Sequence, residues 1–415
     1  MTHDPQPTTA LVVPADEVLE ALDLSRAEPG IGFLEALFAR FNARVPFENA
    51  SKILRDADVP EASAKPRTPE IFWADHLERG TGGTCFARVA AFDALLSSLG
   101  FHSRRLLGKV EHDDDHAALM VETPAGESIV DVGFPLPALV AARSGHVETA
   151  LGGLRVEPTP RGVSVAFTEG VPEGPRALEI FSASVSEERF MELWRQTFRP
   201  GARFLSKVVM RRDLGNRVVS YAGGQVRVDD LHSRLRVPLP LPRAAALPEL
   251  FGIDPEVLSR AFEIAGADVP SSSEPSLTAY LEIAASPEEA LSAIATQAGY
   301  RRLVGGVADV VSEEPTASGF RLTLGAPGQE RDARAQTVDE VSPDLAARRI
   351  HLERRSGASV SKSSYAVEER SGKTYLIREA VLPGAREDLL RNDSLRGRWA
   401  GSLALDLLAW ARMLP

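Results

Sequence analysis

One cysteine occurs in the chain, Cys85, in the run Gly82-Gly83-Thr84-Cys85-Phe86. Two glycines ahead of a helix-patterned apolar stretch place its sulfur beside unsatisfied N–H groups and the positive end of a helix dipole. Both favour the thiolate. Glycines there also let a substrate approach backbone N–H groups able to stabilise an oxyanion. A nucleophilic sulfur needs a base, and the base needs an orienting group. Of the eight histidines, His116 is best placed, opening the strand-like run 116–121 after the acidic turn Asp113-Asp114-Asp115. Asp131 lies in Ile129-Val130-Asp131-Val132-Gly133-Phe134, where alternation puts Ile129, Asp131 and Gly133 on one face. A carboxylate buried there requires a partner, and His116 on a neighbouring strand meets that need. Each residue alone has a plainer reading: an inert core cysteine, a strand-end histidine, a turn-capping aspartate. Together they describe a nucleophile, its base and an orienting group.

These residues must be positioned by elements of two kinds. Apolar residues at spacings of three and four predict helices over 15–43, broken at Glu28-Pro29-Gly30. A further helix follows Cys85 and stops at Gly100. From Phe101 the period shifts to two, predicting strands at 103–110, 116–121 and 128–132, then at 204–210 and 224–228. Residues 247–264 read as helix. The polar, Ser- and Pro-rich stretch 266–276 reads as a linker. Beyond it come a strand at 277–285, a helix start at Ser286-Pro287-Glu288-Glu289, alternating runs to about 379 and a long amphipathic helix over 386–413. Helices first and strands after predict a segregated α+β arrangement.

The 415 residues exceed one ordinary core, so more than one domain is expected. Asp and Glu outnumber Lys and Arg by 58 to 47, a balance that argues against a nucleic-acid footprint. No apolar run is long enough to span a bilayer, and no secretory pattern opens the chain. A single cysteine excludes an internal disulfide and a cysteine-based zinc site, and points to a reducing, cytoplasmic setting. The acidic triple reads as a solvated turn rather than a metal site, because no ligand spacing accompanies it. Walker, dinucleotide-binding and metalloprotease motifs are all lacking.

At these residues the sequence resembles the arylamine N-acetyltransferase family, within the papain-like cysteine enzymes, over roughly 10–265. Val45-Pro46-Phe47-Glu48-Asn49 is similar to its early signature and Gly82-Gly83-Thr84-Cys85-Phe86 to its nucleophile motif. Arg105-Leu106-Leu107-Gly108 resembles the strand after the nucleophile's helix. His116 and Asp131-Val132-Gly133-Phe134 match the remaining triad positions, and 198–204 is a weaker fifth match. The resemblance implies a helical domain at 1–100, a β-barrel at 101–200 carrying His116 and Asp131, and an α/β lid at 201–265. It implies ping-pong acyl transfer: acetyl-CoA or another acyl-CoA as co-substrate rather than a permanently bound cofactor, Cys85 as nucleophile, and an amine acceptor. It also implies that Phe47, Phe134 and Phe204 line the acceptor pocket; each fits a core position equally well. Thr81, Ala87 and Val89 stand where the motif has arginine, glutamate and asparagine. Ala21 aligns with the arginine that usually pairs with the signature glutamate, here Glu48, and Pro135 replaces a glycine.

By pattern, 277–415 resembles a START-like helix-grip domain, which implies a hydrophobic ligand but assigns no site. Two other functions fit the same residues: an amide synthase closing macrolactams on a bulky acyl chain, and a catalytically silent hydrophobic-ligand-binding protein. A nucleic-acid or membrane partner is not expected.

Overall fold

The computed structural model describes residues 13–134, 136–168, 177–239, 246–266, 269–270, 274–305, 308–326, 336–370, 372–382, 384 and 387–414. It divides into two compact units, one of residues 1–226 with 239–271 and the other of 227–238 with 272–415. Among the described residues no helix is long and apolar enough to cross a membrane.

The first unit opens with five α-helices: α1 (Ala15–Ala21), α2 (Ile31–Arg44), α3 (Ala50–Asp58), α4 (Pro69–Arg79) and α5 (Cys85–Ser98), with the short strand β1 (Phe47–Glu48) between α2 and α3. α5 is buried on nearly all its faces, from Cys85 through Phe92 and again at Leu95 and Leu96. A helix so apolar all round belongs at the centre of a core. Phe41 of α2 packs on Phe92 at 4.7 Å between ring centroids, and Trp73 of α4 donates its indole N–H to the Ala91 carbonyl at 3.1 Å. Gly100, at φ +85°, ends α5 as expected.

Eight antiparallel strands follow: β2 (His102–Lys109), β3 (Asp113–Thr123), β4 (Gly126–Val130), β5 (Val140–Ala141), β6 (Gly145–Thr149), β7 (Gly152–Pro158), β8 (Gly162–Phe167) and β9 (Ala177–Ser184). Their order is β5-β4-β3-β2-β9-β8-β7-β6, a nearly closed barrel. β3 serves two cores. Ala118 and Met120 join the barrel interior, whereas Ala117, Leu119 and Val121 join the helical core around α5. A strand buried on both faces reads as a continuous apolar run, as this one does.

Helix α6 (Glu187–Gln196) returns the chain to the helical core through Phe190 and Trp194. β10 (Met210–Asp213) and β11 (Val218–Ala222) pair antiparallel, and β10 also takes β1 with Glu48 opposite Met210. The strand expected at 204–210 begins only at Met210. Asn49 explains the difference: its amide donates to the Phe204 and Lys207 carbonyls at 3.0 and 2.6 Å and accepts the Val209 N–H at 2.7 Å. Phe204 is itself left-handed, at φ +67°. The segment is thus pinned as an irregular loop. β12 (Gln225–Asp229) lies across the division between the units, and α7 (Leu247–Phe251) and α8 (Pro255–Ala265) complete the first. Gly252, at φ +69°, breaks the helix expected over 247–264 into these two.

In the second unit β13 (Ser233–Pro238) pairs with β14 (Ser276–Ile283), and β14 with β20 (Lys373–Val381). The antiparallel sheet continues through β19 (Ser359–Arg370), β18 (Arg349–Ser356), β17 (Thr337–Asp344), β16 (Phe320–Gly325) and β15 (Asp309–Pro315). Between β14 and β15 lie α9 (Pro287–Ser292), started by a complete Ser286/Glu289 capping box, and α10 (Gln297–Val304). The closing helix is two pieces, α11 (Asp388–Arg391) and α12 (Asp393–Ala411), parted at Asn392, whose side chain caps α12. α12 packs on the sheet through Trp410, set edge-on to Tyr365 at 5.6 Å. This order of strand, helices, antiparallel strands and closing helix is the one expected for 277–415. Ala267, Asp268 and Ser271 to Ser273 of the expected linker, Arg386 of the expected helix and Pro135 lie outside the described residues.

Candidate active site

Cys85 is the first residue of α5 and 9% exposed. The chain behind it fixes that position. Phe47 of β1 bridges Gly83, the Glu48 N–H donates to the Gly83 carbonyl at 3.1 Å, and the Gly83 N–H donates to the Pro46 carbonyl at 3.4 Å. A Cβ on Gly82 would sit 1.7 Å from the Pro46 carbonyl oxygen, so this approach requires glycine. Glu48, wholly buried, closes the junction. It accepts the Gly82 N–H at 3.1 Å, the Ser51 N–H at 2.9 Å and the Ser51 hydroxyl. Backbone and hydroxyl donors therefore satisfy Glu48 where the resemblance leads one to expect an arginine.

His116 and Asp131 are buried, at 2% and 0% exposure, and His116 Nε2 lies 2.8 Å from Asp131 Oδ2. The second carboxylate oxygen accepts the N–H groups of Gly133 and Phe134 at 2.9 and 2.8 Å. β4 ends at Val130, so a turn that follows the strand, rather than strand alternation, aims Asp131. Cys85 Sγ lies 3.9 Å from the carbonyl oxygen of Asp115, the residue before His116. All three elements meet at Gly133. A Cβ there would fall 2.8 Å from Cys85 Cβ, 3.0 Å from His116 Cε1 and 2.5 Å from the Ala117 carbonyl oxygen. Burial alone would push the imidazole down, but the adjacent Asp131 carboxylate, its hydrogen bond and Cys85 outweigh it and raise His116 to about 10.

The aromatic candidates divide. Phe47 and Phe204 meet edge-on, their centroids 5.6 Å apart. Phe134 sits beside the His116–Asp131 pair through its N–H bond to Asp131, with the Arg211 guanidinium 5.7 Å from its ring centre. In the acidic triple, Asp113 pairs with Arg161 and Asp114 with Arg189, while Asp115 accepts the N–H groups of Val110, Glu111 and His112. Among the described residues no group of three or more His, Cys, Asp or Glu is arranged to hold a metal.

Sequence reasoning missed Arg88, one turn beyond Cys85 and entirely buried. It donates to the carbonyls of Val132 at 2.6 Å and of Val45, and to Asn42 Oδ1 at 2.8 Å, with its guanidinium 4.7 Å from the Phe41 ring centre. Burial pulls it down to about 9, against the opposing pull of the Asp131 and Glu48 carboxylates. Sequence alone requires that a cation inside an otherwise apolar helix find partners, but it does not name them.

A buried carboxylate–imidazole pair lies close to a cysteine at a helix start. Residues 31–150 match the N-acetyltransferase family model. The chain is 33% identical over 120 residues to an arylamine N-acetyltransferase of Mycolicibacterium smegmatis, covering 26% of this chain and 42% of that protein. It is 31% identical over 123 residues to the Escherichia coli (strain K12) arylamine N-acetyltransferase, covering 28% and 41%. These matches span less than half the length of either relative. In fold, the M. smegmatis enzyme superposes with a TM-score of 0.53 at 22% identity, over 61% of this chain and 99% of that one. The Mycobacterium marinum arylamine N-acetyltransferase in complex with CoA gives 0.52 at 19% identity, over 61% and 100%. The likeness to the arylamine N-acetyltransferases is thus shown in sequence on 31–150 and in fold over about three fifths of the chain.

Proposed function

We propose that the first unit is an acyltransferase of the arylamine N-acetyltransferase kind, moving an acetyl or related acyl group from CoA to an amine through Cys85. The observation that carries this is the buried 2.8 Å His116–Asp131 pair set against a cysteine at the start of α5. In the first half-reaction Cys85 Sγ attacks the thioester carbonyl, and the C–S bond to CoA breaks. The departing CoA sulfur takes the His116 proton. In the second, an aromatic amine, hydrazine or hydroxylamine attacks the acyl-cysteine carbonyl. His116 takes the proton the nitrogen sheds, and the Cys85–acyl bond breaks. Asp131 keeps the ring oriented and stabilises its charged form throughout. The Phe47–Phe204 pair, and separately Phe134 beside Asp131, are the apolar side chains we assign to an aromatic acceptor. The reducing, cytoplasmic setting expected of a chain with one cysteine fits a CoA-dependent reaction.

Intact-mass analysis after exposure to a panel of acyl-CoAs tests the reading. One acyl mass on Cys85, discharged by an arylamine and absent in Cys85→Ala, is the expected result. Iodoacetamide labelling of Cys85 without an adduct from any acyl-CoA would overturn the donor assignment.

A further inference from the structure

Beside the start of α5, on the side of α3, lies a pocket. Its enclosed room is about that of one water molecule, and the rest of its roughly 260 Å3 is open solvent at the mouth. Four cations line it, Lys52, Arg55, Lys65 and Arg67, and among the described residues no carboxylate does. Two of the four are neutralised from outside the lining: Lys65 by Asp56 at 2.5 Å, and Arg67 by Asp75 at 3.1 Å. Arg55 bonds only to the carbonyls of Ala64 and Lys65 among the described residues.

Lys52 is the exceptional one. It is 6% exposed, and its ammonium makes one marginal hydrogen bond, 3.5 Å to the Arg203 carbonyl, plus a cation–π contact of 5.0 Å with Phe198. An ammonium has three protons to place, and leaving them unpaired away from water is costly. Burial lowers Lys52 to about 8, against the opposing pull of Cys85 and the Asp56 carboxylate. The remaining walls are Trp194 and Phe198 on one side and Thr84 and Ala87, flanking Cys85, on the other. At Ala87 a short side chain leaves the space open.

We propose that this pocket binds an oxyanion, the carboxylate or phosphate group of a substrate that reacts at Cys85, with Lys52 as its principal ligand and Trp194 and Phe198 against the attached apolar part. The pocket thereby deepens the acyl-transfer reading, restricting the donor or acceptor to an anionic one. The binding step itself does not require the sulfur to react.

Calorimetric titration of the full chain with inorganic phosphate, benzoate and neutral benzamide, at fixed ionic strength, tests it. The two anions are expected to bind and benzamide not to. Affinity should fall at least tenfold in Lys52→Gln and in Ala87→Glu, which sets a carboxylate into the pocket, and be kept in Cys85→Ala. Circular dichroism identifies any variant that fails to fold, and Arg55→Gln then replaces it. Benzoate above phosphate identifies a carboxylate-bearing aromatic substrate; the reverse order identifies a phosphate-bearing one. Both orders support the site. Absence of anion binding by the native chain, or equal binding by the folded variants, overturns it. Because Cys85→Ala carries the same readout, failure of the acyl-transfer reading leaves this result standing.

Discussion

The charged form of His116 is favoured because a wholly buried carboxylate stands 2.8 Å away. Its folded value, about 10, lies above the ordinary 6.5. A raised value stabilises the fold fully below 6.5, and that stability drains as pH rises through 10. Urea midpoints measured across this window should therefore fall with pH in the native chain and much less in Asp131→Asn. The same variant should lose turnover by about 10^4-fold, the cost of an unoriented triad histidine; an unchanged pH slope would remove Asp131 as the cause. Arg88 acts differently, since it reaches neither sulfur nor imidazole and instead ties Val45, Asn42 and the Val132 carbonyl next to Asp131. Arg88→Met would leave three buried acceptors without donors and should cost about 3–5 kcal/mol in urea unfolding. Arg88→Lys, which cannot fork to three acceptors, should recover only part of it. The His116–Asp131 pairing was legible from residue type and local pattern, because a buried carboxylate is costly without a partner. Arg88 and Lys52 were not, because the partners that define them come from segments far apart in the chain.

Among the elements, α5 and the two turns that meet its first residue do the positioning. α5 was readable from its unbroken apolar character and its glycine stop. β3 was readable because both its faces are buried. The 204–210 segment misled, since alternation predicts a strand and cannot register that Asn49, more than 150 positions earlier, takes up its backbone groups. α3, α4 and α6 were passed over because their apolar stripes are short and interrupted by charge. The turn 131–134 is the most constrained of these pieces. Gly133→Ala drives a methyl group to 2.5 Å from the Ala117 carbonyl and 2.8 Å from Cys85 Cβ, and backbone cannot yield as a flexible side chain would. The variant should lose about 1–3 kcal/mol of stability. Displacement of the sulfur from the imidazole should cut iodoacetamide labelling of Cys85 by roughly a hundredfold, on the order expected when a reacting group is misplaced by an ångström. Labelling at the native rate would show that the approach at Gly133 does not hold the pair.

At the scale of the whole molecule, the chain does not hand over once from one unit to the other. Residues 227–238 belong with the second unit, although α7 and α8 of the first come later in sequence. That exchange could not be read from composition, which marks only the polar stretch near 266–276 as a boundary. Its consequence is physical. β13 pairs with β14 in the register Leu235 to Leu277, and Leu235 and Val237 are fully buried. A fragment ending at Ser271 keeps β13 but loses β14, leaving an apolar strand with an unpaired edge. Returning Leu235 and Val237 to water costs about 1.5–3 kcal/mol each. The fragment 1–271 should therefore melt below the full chain and self-associate on size-exclusion chromatography, whereas Leu235→Lys in the fragment should restore a monomer by charging that edge. A monomeric 1–271 fragment that melts with the intact chain would show that β13 is indifferent to its partner, and that the two units are separable at the linker after all.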